Sequence, residues 1–252
     1  MRHHLMTAVV LCIGTLAHAG APLFSDDFTK GPSSLWRNEV GDWAVANGVY
    51  SATVPGNFPN AHSSLPYVFG SRLIDVDIND VADGGIWVRS SPAPGTPIGV
   101  KGVVLVTGGG VNGGSGLYWH IVPDGQSYGS VIAAAPGLWT PGVSDVHVRV
   151  NVVGDTYTAY VNGRFASSIT TDLFPAGCVA LYDRSSQTFD NVGVSGDVLC
   201  ESDLSCDLVV DAADLAILLG DWGQPGMADL DHNGTTNAAD LAILLGAWGP
   251  CA

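Results

Sequence analysis

The sequence predicts a mainly β protein, an antiparallel jelly-roll sandwich followed by a small all-α module. Three observations predict it. Ile74, Val76 and Ile78 alternate with Asp75, Asp77 and Asn79, and Val146, Val148, Val150 and Val152 alternate with His147, Arg149 and Asn151. That is the period-2 signature of strands with one buried face. Tyr157–Val161 runs into Asn162-Gly163 and out through Arg164–Ser167; Asn-Gly between two such runs marks a tight hairpin, because both turn residues take positive φ. Finally, residues 211–223 recur almost unchanged at 237–249, and a polar loop followed by a short apolar helix, given twice, reads as a two-repeat helical module.

Taken in order, the chain opens on a positive start at Arg2, an uncharged apolar run from Leu5 to Ala17, and the small-x-small triplet Ala17-His18-Ala19. Residues 1–19 therefore read as a secretory signal peptide. The run is shorter than the ~20 residues a bilayer span needs, and no later stretch is long enough, so no membrane span is expected. Residues 20–197 form the sandwich, rich in Gly, Val, Ser, Trp and Tyr, with a second hairpin turn at Gly154-Asp155 and no convincing helix. Near Asp197 the composition changes: residues 198–252 hold no Lys or Arg and nine acids. In each repeat Leu215, Leu218 and Leu219, or Leu241, Leu244 and Leu245, are expected to bury against the other copy.

The 252 residues carry a formal net charge of -15. Such a chain is a poor nucleic-acid ligand, because phosphate is held by Lys and Arg. An acidic chain instead suits divalent cations where its carboxylates cluster. Cys12 leaves with the signal peptide, so Cys178, Cys200, Cys206 and Cys251 remain, and four cysteines in an exported chain allow three disulfide pairings. Cys200 and Cys251 bracket the module; a bond between them would clasp its ends with about 2–4 kcal/mol. Cys178 and Cys206 are left open. No CxxC pair or His cluster accompanies them, which argues against zinc.

Within the second repeat, Asp229, Asp231, Asn233, Thr235, Asn237 and Asp240 occupy positions 1, 3, 5, 7, 9 and 12 of a twelve-residue loop, with Gly234 at position 6. Oxygen donors at this spacing suit calcium, and Gly at 6 permits the sharp turn. The first loop places Asp203, Ser205, Asp207, Val209, Asp211 and Asp214 at the same positions, with Leu208 where Gly is expected. A left-handed backbone at a non-Gly residue costs about 1–2 kcal/mol, so loop one is expected to be the weaker site. Two calcium ions are expected in the module, whose apo form should be partly unfolded by carboxylate repulsion.

Paired loop–helix repeats with Asp at position 12 resemble a type I dockerin over about residues 200–252. The resemblance implies calcium binding and docking onto a cohesin-like module. Positions 10 and 11, where that family chooses its partner, are Ala212-Ala213 and Ala238-Ala239 here. The Ser-Thr pair frequent in cellulosomal members is absent, and the identical pairs imply that either helix can face the partner.

Asp26-Asp27-Phe28, Trp36, the run Trp43–Tyr50 and Phe189-Asp190-Asn191-Val192 resemble the concanavalin A-like lectin/glucanase superfamily, especially its laminin-G-like and three-keto-disaccharide hydrolase-like domains. The resemblance implies a β-sandwich with a polysaccharide-related role and a further calcium between Asp27 and Asp190. Retaining glucanases of that fold carry two Glu flanking an Asp on one strand, and a retaining pair needs carboxyls about 5–5.5 Å apart. Glu stands only at 39 and 201. Asp75 and Asp77 share a strand face and are the candidate catalytic pair, although a solvated face is the preferred reading. Trp87, Arg89, Trp119 and His120 are the candidate glycan contacts. Three functions follow in order: an exported non-catalytic glycan-binding or surface-assembly protein docked on a cohesin-like partner; a glycoside hydrolase with a dockerin tag; and a structural surface protein.

Overall fold

The computed structural model describes residues 22–251, so the predicted signal peptide at 1–19 lies outside the described residues. In chain order the strands are β1 (Phe24–Asp26), β2 (Trp43–Ala46), β3 (Val49–Ala52), β4 (His62–Ser64), β5 (Val68–Asn79), β6 (Asp83–Pro92) and β7 (Val100–Gly108). After them come β8 (Leu117–Val122), β9 (Ile132–Ala135), β10 (Val146–Val153), β11 (Thr156–Val161), β12 (Arg164–Thr170), β13 (Cys178–Asp183) and β14 (Thr188–Cys200). Among the described residues before Cys200 the only helical piece is a 3-10 turn at Val111–Gly114.

The strands make two antiparallel sheets. One has eight strands, in the order β12-β11-β10-β5-β14-β3-β2 with β1 also on β14; the other has six, in the order β4-β13-β6-β7-β8-β9. The alternation read from sequence sets the register between them. Ile74, Val76 and Ile78 of β5, with Val148 and Val150 of β10, are fully buried against Ile86 and Val88 of β6, Leu105 of β7 and Trp119 of β8. Asn162 (φ 50°) and Gly163 (φ 76°) both take the left-handed conformation between β11 and β12, as a primed two-residue turn demands.

Past Cys200 the chain forms α1 (Ala212–Gly220) and α2 (Ala238–Gly246), with a two-residue ladder between β15 (Val209–Val210) and β16 (Gly249–Pro250). Hence the C-terminal segment is two short helices closed by a β clasp, not an all-α unit. Nor does it hang on a linker. Strand β14 runs unbroken from Thr188 to Cys200, through the predicted boundary at 197/198. Cys206 is disulfide-bonded to Cys178 of β13, and Cys200 to Cys251. The first bond ties the segment to the sandwich; the second closes the segment on itself. Leu218 and Leu244 are fully buried with Leu204, Val210 and Ala228. Leu219 and Leu245, expected in that core, are instead 53% and 51% exposed, because a nine-residue helix presents only one stripe to its partner.

Candidate functional site

On the outer face of the six-stranded sheet, Tyr118 and His120 of β8 and Tyr182 of β13 project beside Trp87 of β6. Much of that face is closed by the segment around Ile98 and Tyr128 packing over Trp87. At one end it stays open as a pocket lined by Asp83, Tyr118, His120, Tyr128, Tyr182 and Arg184, with Asn57 at the rim.

The pocket is held by hydrogen bonds rather than by loose side chains. Arg184 Nη1 donates to Asp83 Oδ2 at 2.9 Å. The Tyr182 hydroxyl donates to Asn57 Oδ1. Asn60 Nδ2 donates to the Tyr128 hydroxyl at 2.7 Å while Asn60 Oδ1 accepts from Trp87 Nε1 at 3.0 Å. His120 packs edge-on to Tyr118, ring centroids 5.3 Å apart, and lies 5.5 Å from Tyr128. Burial pushes the Tyr118 phenol up to about 12 and the His120 imidazole down, so both are neutral near pH 7. Burial also raises the Asp83 carboxyl, against the opposing pull of Arg184. Just below Arg184, Asp183 faces inward and accepts from Ala52 N and Ser185 N; burial pushes it up to about 7. Beside the pocket, Phe58 stands 63% exposed against Tyr128, ring centroids 5.7 Å apart. The arrangement offers aromatic faces, a neutral imidazole and one neutralised ion pair: a set for hydrogen-bonding and stacking a polar, uncharged ligand.

Three of the four predicted glycan contacts are misplaced. Trp119 points between the sheets and is fully buried, donating from Nε1 to Ser167 Oγ at 3.2 Å; its neighbours Tyr118 and His120 take the outer face, because side chains alternate along β8. Trp87 lies on the outer face but is fully covered. Arg89 sits where the β6–β13 register shifts and has φ 54°. Its guanidinium turns inward to the carbonyls of Gly70, Gly154 and Phe174 and to the Tyr157 hydroxyl. It is a buried structural cation, not a ligand contact. Only His120 remains at the pocket. Phe58, Tyr128 and Tyr182 were missed; the turn signal Asn57-Phe58-Pro59-Asn60 was the available cue.

Asp75 and Asp77 lie on the outer face of the other sheet. His147 sits between them, Nε2 2.9 Å from Asp75 Oδ1 and Nδ1 2.8 Å from Asp77 Oδ1. Arg149 Nε reaches Asp75 Oδ1 at 2.7 Å, and Asn191 Nδ2 reaches Asp77 Oδ2 at 2.9 Å. Carboxylates so claimed are positioning groups on this face, far from a free acid/base pair. Near β1, Asp26 is a hub for Phe28 N, Ser33 N and Trp36 Nε1. Asp27 accepts from Thr29 and Asp190 from the Asn191 amide, each within its own turn.

The two predicted cation loops share one backbone plan. Asp229 accepts from Asn233 N and Gly234 N, and Asp240 from Asp231 N and Asn237 N. Asp203 accepts from Asp207 N and Leu208 N, and Asp214 from Ser205 N and Asp211 N. Positions 9, Asp211 and Asn237, cap α1 and α2 with reciprocal capping boxes. In loop two, Asp229, Asp231 and Asp240 bring one carboxylate oxygen each within 4.8 Å of one another. An all-oxygen, carboxylate-rich set fits a hard divalent cation. Among the described residues loop one gathers no such triple; Asp203 lies near Cys200 and Cys251, whose sulfurs are spent in a disulfide. Asn233 and Thr235 are exposed on the loop-two surface, and Val209 falls in β15. Ala212, Ala213, Ala238 and Ala239 are exposed at the helix starts.

No family model matches the chain, and no curated protein matches it. Solved structures do. A carbohydrate-binding module, CBM66 from Bacillus subtilis, superposes with TM-score 0.54 and 16% identity over 64% of this chain and 96% of its own. A Bacillus subtilis protein of unknown function with a galectin-like fold gives TM-score 0.57 and 10% identity over 71% of this chain and 98% of its own. At these identities the likeness establishes the galectin-like β-sandwich fold and nothing further.

Proposed function

We propose that this is an exported, non-catalytic glycan-binding protein whose sandwich holds a neutral sugar in the pocket lined by Tyr118, Tyr128 and Arg184, next to Phe58. The observation that carries the reading is the pocket itself: Tyr118, the hydrogen-bonded Tyr128 and Tyr182, His120 and the Asp83–Arg184 pair, with exposed Phe58 packed on Tyr128 beside it. Such fixed side chains lose little rotamer entropy on binding. The fold shared with a carbohydrate-binding module supports the sugar as ligand class. The absence of a free carboxylate pair at Asp75 and Asp77 supports binding over hydrolysis.

The C-terminal segment, in this reading, is a dockerin-like module that takes calcium and presents its helices to a cohesin-like partner. Asp229, Asp231, Asn233, Thr235, Asn237 and Asp240 would hold one ion, and Asp203, Ser205, Asp207, Val209, Asp211 and Asp214 a second. Calcium there would neutralise the clustered carboxylates and lock the loops ahead of α1 and α2. Support for docking comes from equivalent exposed apolar side chains in the two copies, Leu219 and Trp222 in one, Leu245 and Trp248 in the other. Paired patches of this kind mark interaction surfaces.

The test is a panel of soluble and insoluble polysaccharides, incubated with the mature chain in calcium and in EDTA, scoring bound protein and released oligosaccharides. Binding without products, weakened at least tenfold by Phe58→Ala, is expected. Released products would replace this reading with a hydrolytic one.

A further inference from the structure

The outer face of the eight-stranded sheet carries a second groove, on the opposite side of the sandwich from the pocket above. Leu73 of β5, His147, Arg149 and Asn151 of β10 and Tyr160 of β11 line it, and the Asn162-Gly163 turn forms its end. That turn is fixed to the groove: His147 N donates to Asn162 Oδ1 at 2.9 Å and Asn162 N to His147 O at 2.8 Å.

Two features separate this groove from an ordinary solvated strand face. Its charged side chains are immobilised in a chain of bonds, Arg149 to Asp75, Asp75 to His147, His147 to Asp77 and Asp77 to Asn191, all between 2.7 and 2.9 Å. Arg149 is held by Nε alone, so its two terminal amino groups are unclaimed, and the Asn151 amide and Tyr160 hydroxyl have no partner among the described residues. Beside these free donors stands an aromatic wall: Tyr160 meets Phe165 edge-on at 6.2 Å, and Phe165 is 65% exposed.

We infer that this groove is a second saccharide site, binding a neutral glycan with one sugar face against Tyr160 and its hydroxyls on Arg149, Asn151 and Asp75. Electrostatics chooses the neutral class. Asp75 and Asp77 answer Arg149 and His147, so the groove offers an anion no excess positive charge, and the chain as a whole stands at -15, which disfavours an acidic polysaccharide. With sites on both outer faces, one molecule bridges two glycan chains or grips one surface with avidity. The inference extends the glycan reading above, but it stands on a different sheet and on residues the first pocket does not share.

The decisive measurement is a 15N–1H titration of the calcium-replete mature chain with neutral tetraoses of the xylo, cello, laminari and manno series. Shifts clustered at residues 147–163 are expected for at least one of them. Tyr160→Ala should weaken that set roughly tenfold, and Asn151→Ala less, while shifts around Phe58 and Tyr128 stay unchanged. Shifts confined to Phe58 and Tyr128 would overturn the second site and leave the first. Shifts at 147–163 indifferent to Tyr160→Ala, or none there with any sugar, would overturn it too. Silence at both places would sink the two readings together.

Discussion

The two loop–helix copies share the helix Ala-Ala-Asp-Leu-Ala-Ile-Leu-Leu-Gly letter for letter, yet the fold treats their loops differently. Positions 1 and 2 are buried in both loops, but at positions 3 and 4 Ser205 and Cys206 are buried whereas Asp231 and His232 are exposed. Position 4 shows why. Both copies need a left-handed backbone there, and Cys206 has φ 63° against 57° for His232. Cys206 then bonds to Cys178 in the sandwich, receives a 3.6 Å contact from Arg37 Nη1 and packs with Val68 and Ala176. His232 points to solvent. One repeat has become part of the larger domain's wall while its twin keeps an open loop. The difference teaches that a local repeat specifies backbone geometry, whereas a single non-local bond decides what the repeat is attached to.

The largest effect should come from cutting that bond. Replacing Cys178 and Cys206 together by Ser opens a ring of 28 residues, worth about 3–4 kcal/mol in the chain-entropy account. Urea unfolding should show that loss. Calcium uptake by loop one should fall with it, while loop two keeps its affinity. Equal weakening of both loops would mean that the staple steadies the whole segment and the asymmetry between copies is illusory.

Next in size come the position-12 aspartates. Asp214 and Asp240 are each fully buried and each accept two backbone amides. Asp214→Ala and Asp240→Ala should cost about 2–3 kcal/mol apiece in EDTA, since two donors lose their acceptor. In calcium the variants should part: Asp240→Ala takes one carboxylate from the gathered trio of loop two, and most of the rise in melting temperature on adding calcium should go with it. Asp214→Ala should keep more than half of that rise. Calorimetry with and without EDTA reads both, and the reverse order would make loop one the principal site.

Much of this architecture was legible in the residues. Alternation along β5 and β10 told inside from outside correctly, because each strand has one apolar and one polar face. Strand β8 gave no such cue: Leu117, Tyr118, Trp119 and His120 are all buried, so sequence chose Trp119 where the outer face takes Tyr118. Arg89 was misread because its orientation depends on a bulge whose partner, Cys178, lies far along the chain. Cys178–Cys206 was undecidable for the same reason. The repeat foretold both helices, yet could not tell that Leu219 and Leu245 stay outside their shared core, since a 3.6-residue period does not say how wide the covering surface is.

The smallest expected effect probes position 6, where the copies differ in residue but not in backbone. Leu208 has φ 76° and Gly234 φ 94°, so both loops make the same left-handed turn. A Cβ added at Gly234 would meet nothing within 4 Å. Gly234→Ala therefore isolates backbone strain and should cost about 1 kcal/mol. Leu208→Gly removes strain of the same size, but it also removes a half-buried side chain that packs against Cys206 and Val68. The two changes in loop one should nearly cancel, leaving stability within about 0.5 kcal/mol of the parent. A clear gain from Leu208→Gly would show that loop one is strained beyond what its packing on the sandwich returns. A clear loss would show that its attachment, rather than its turn, holds it in place.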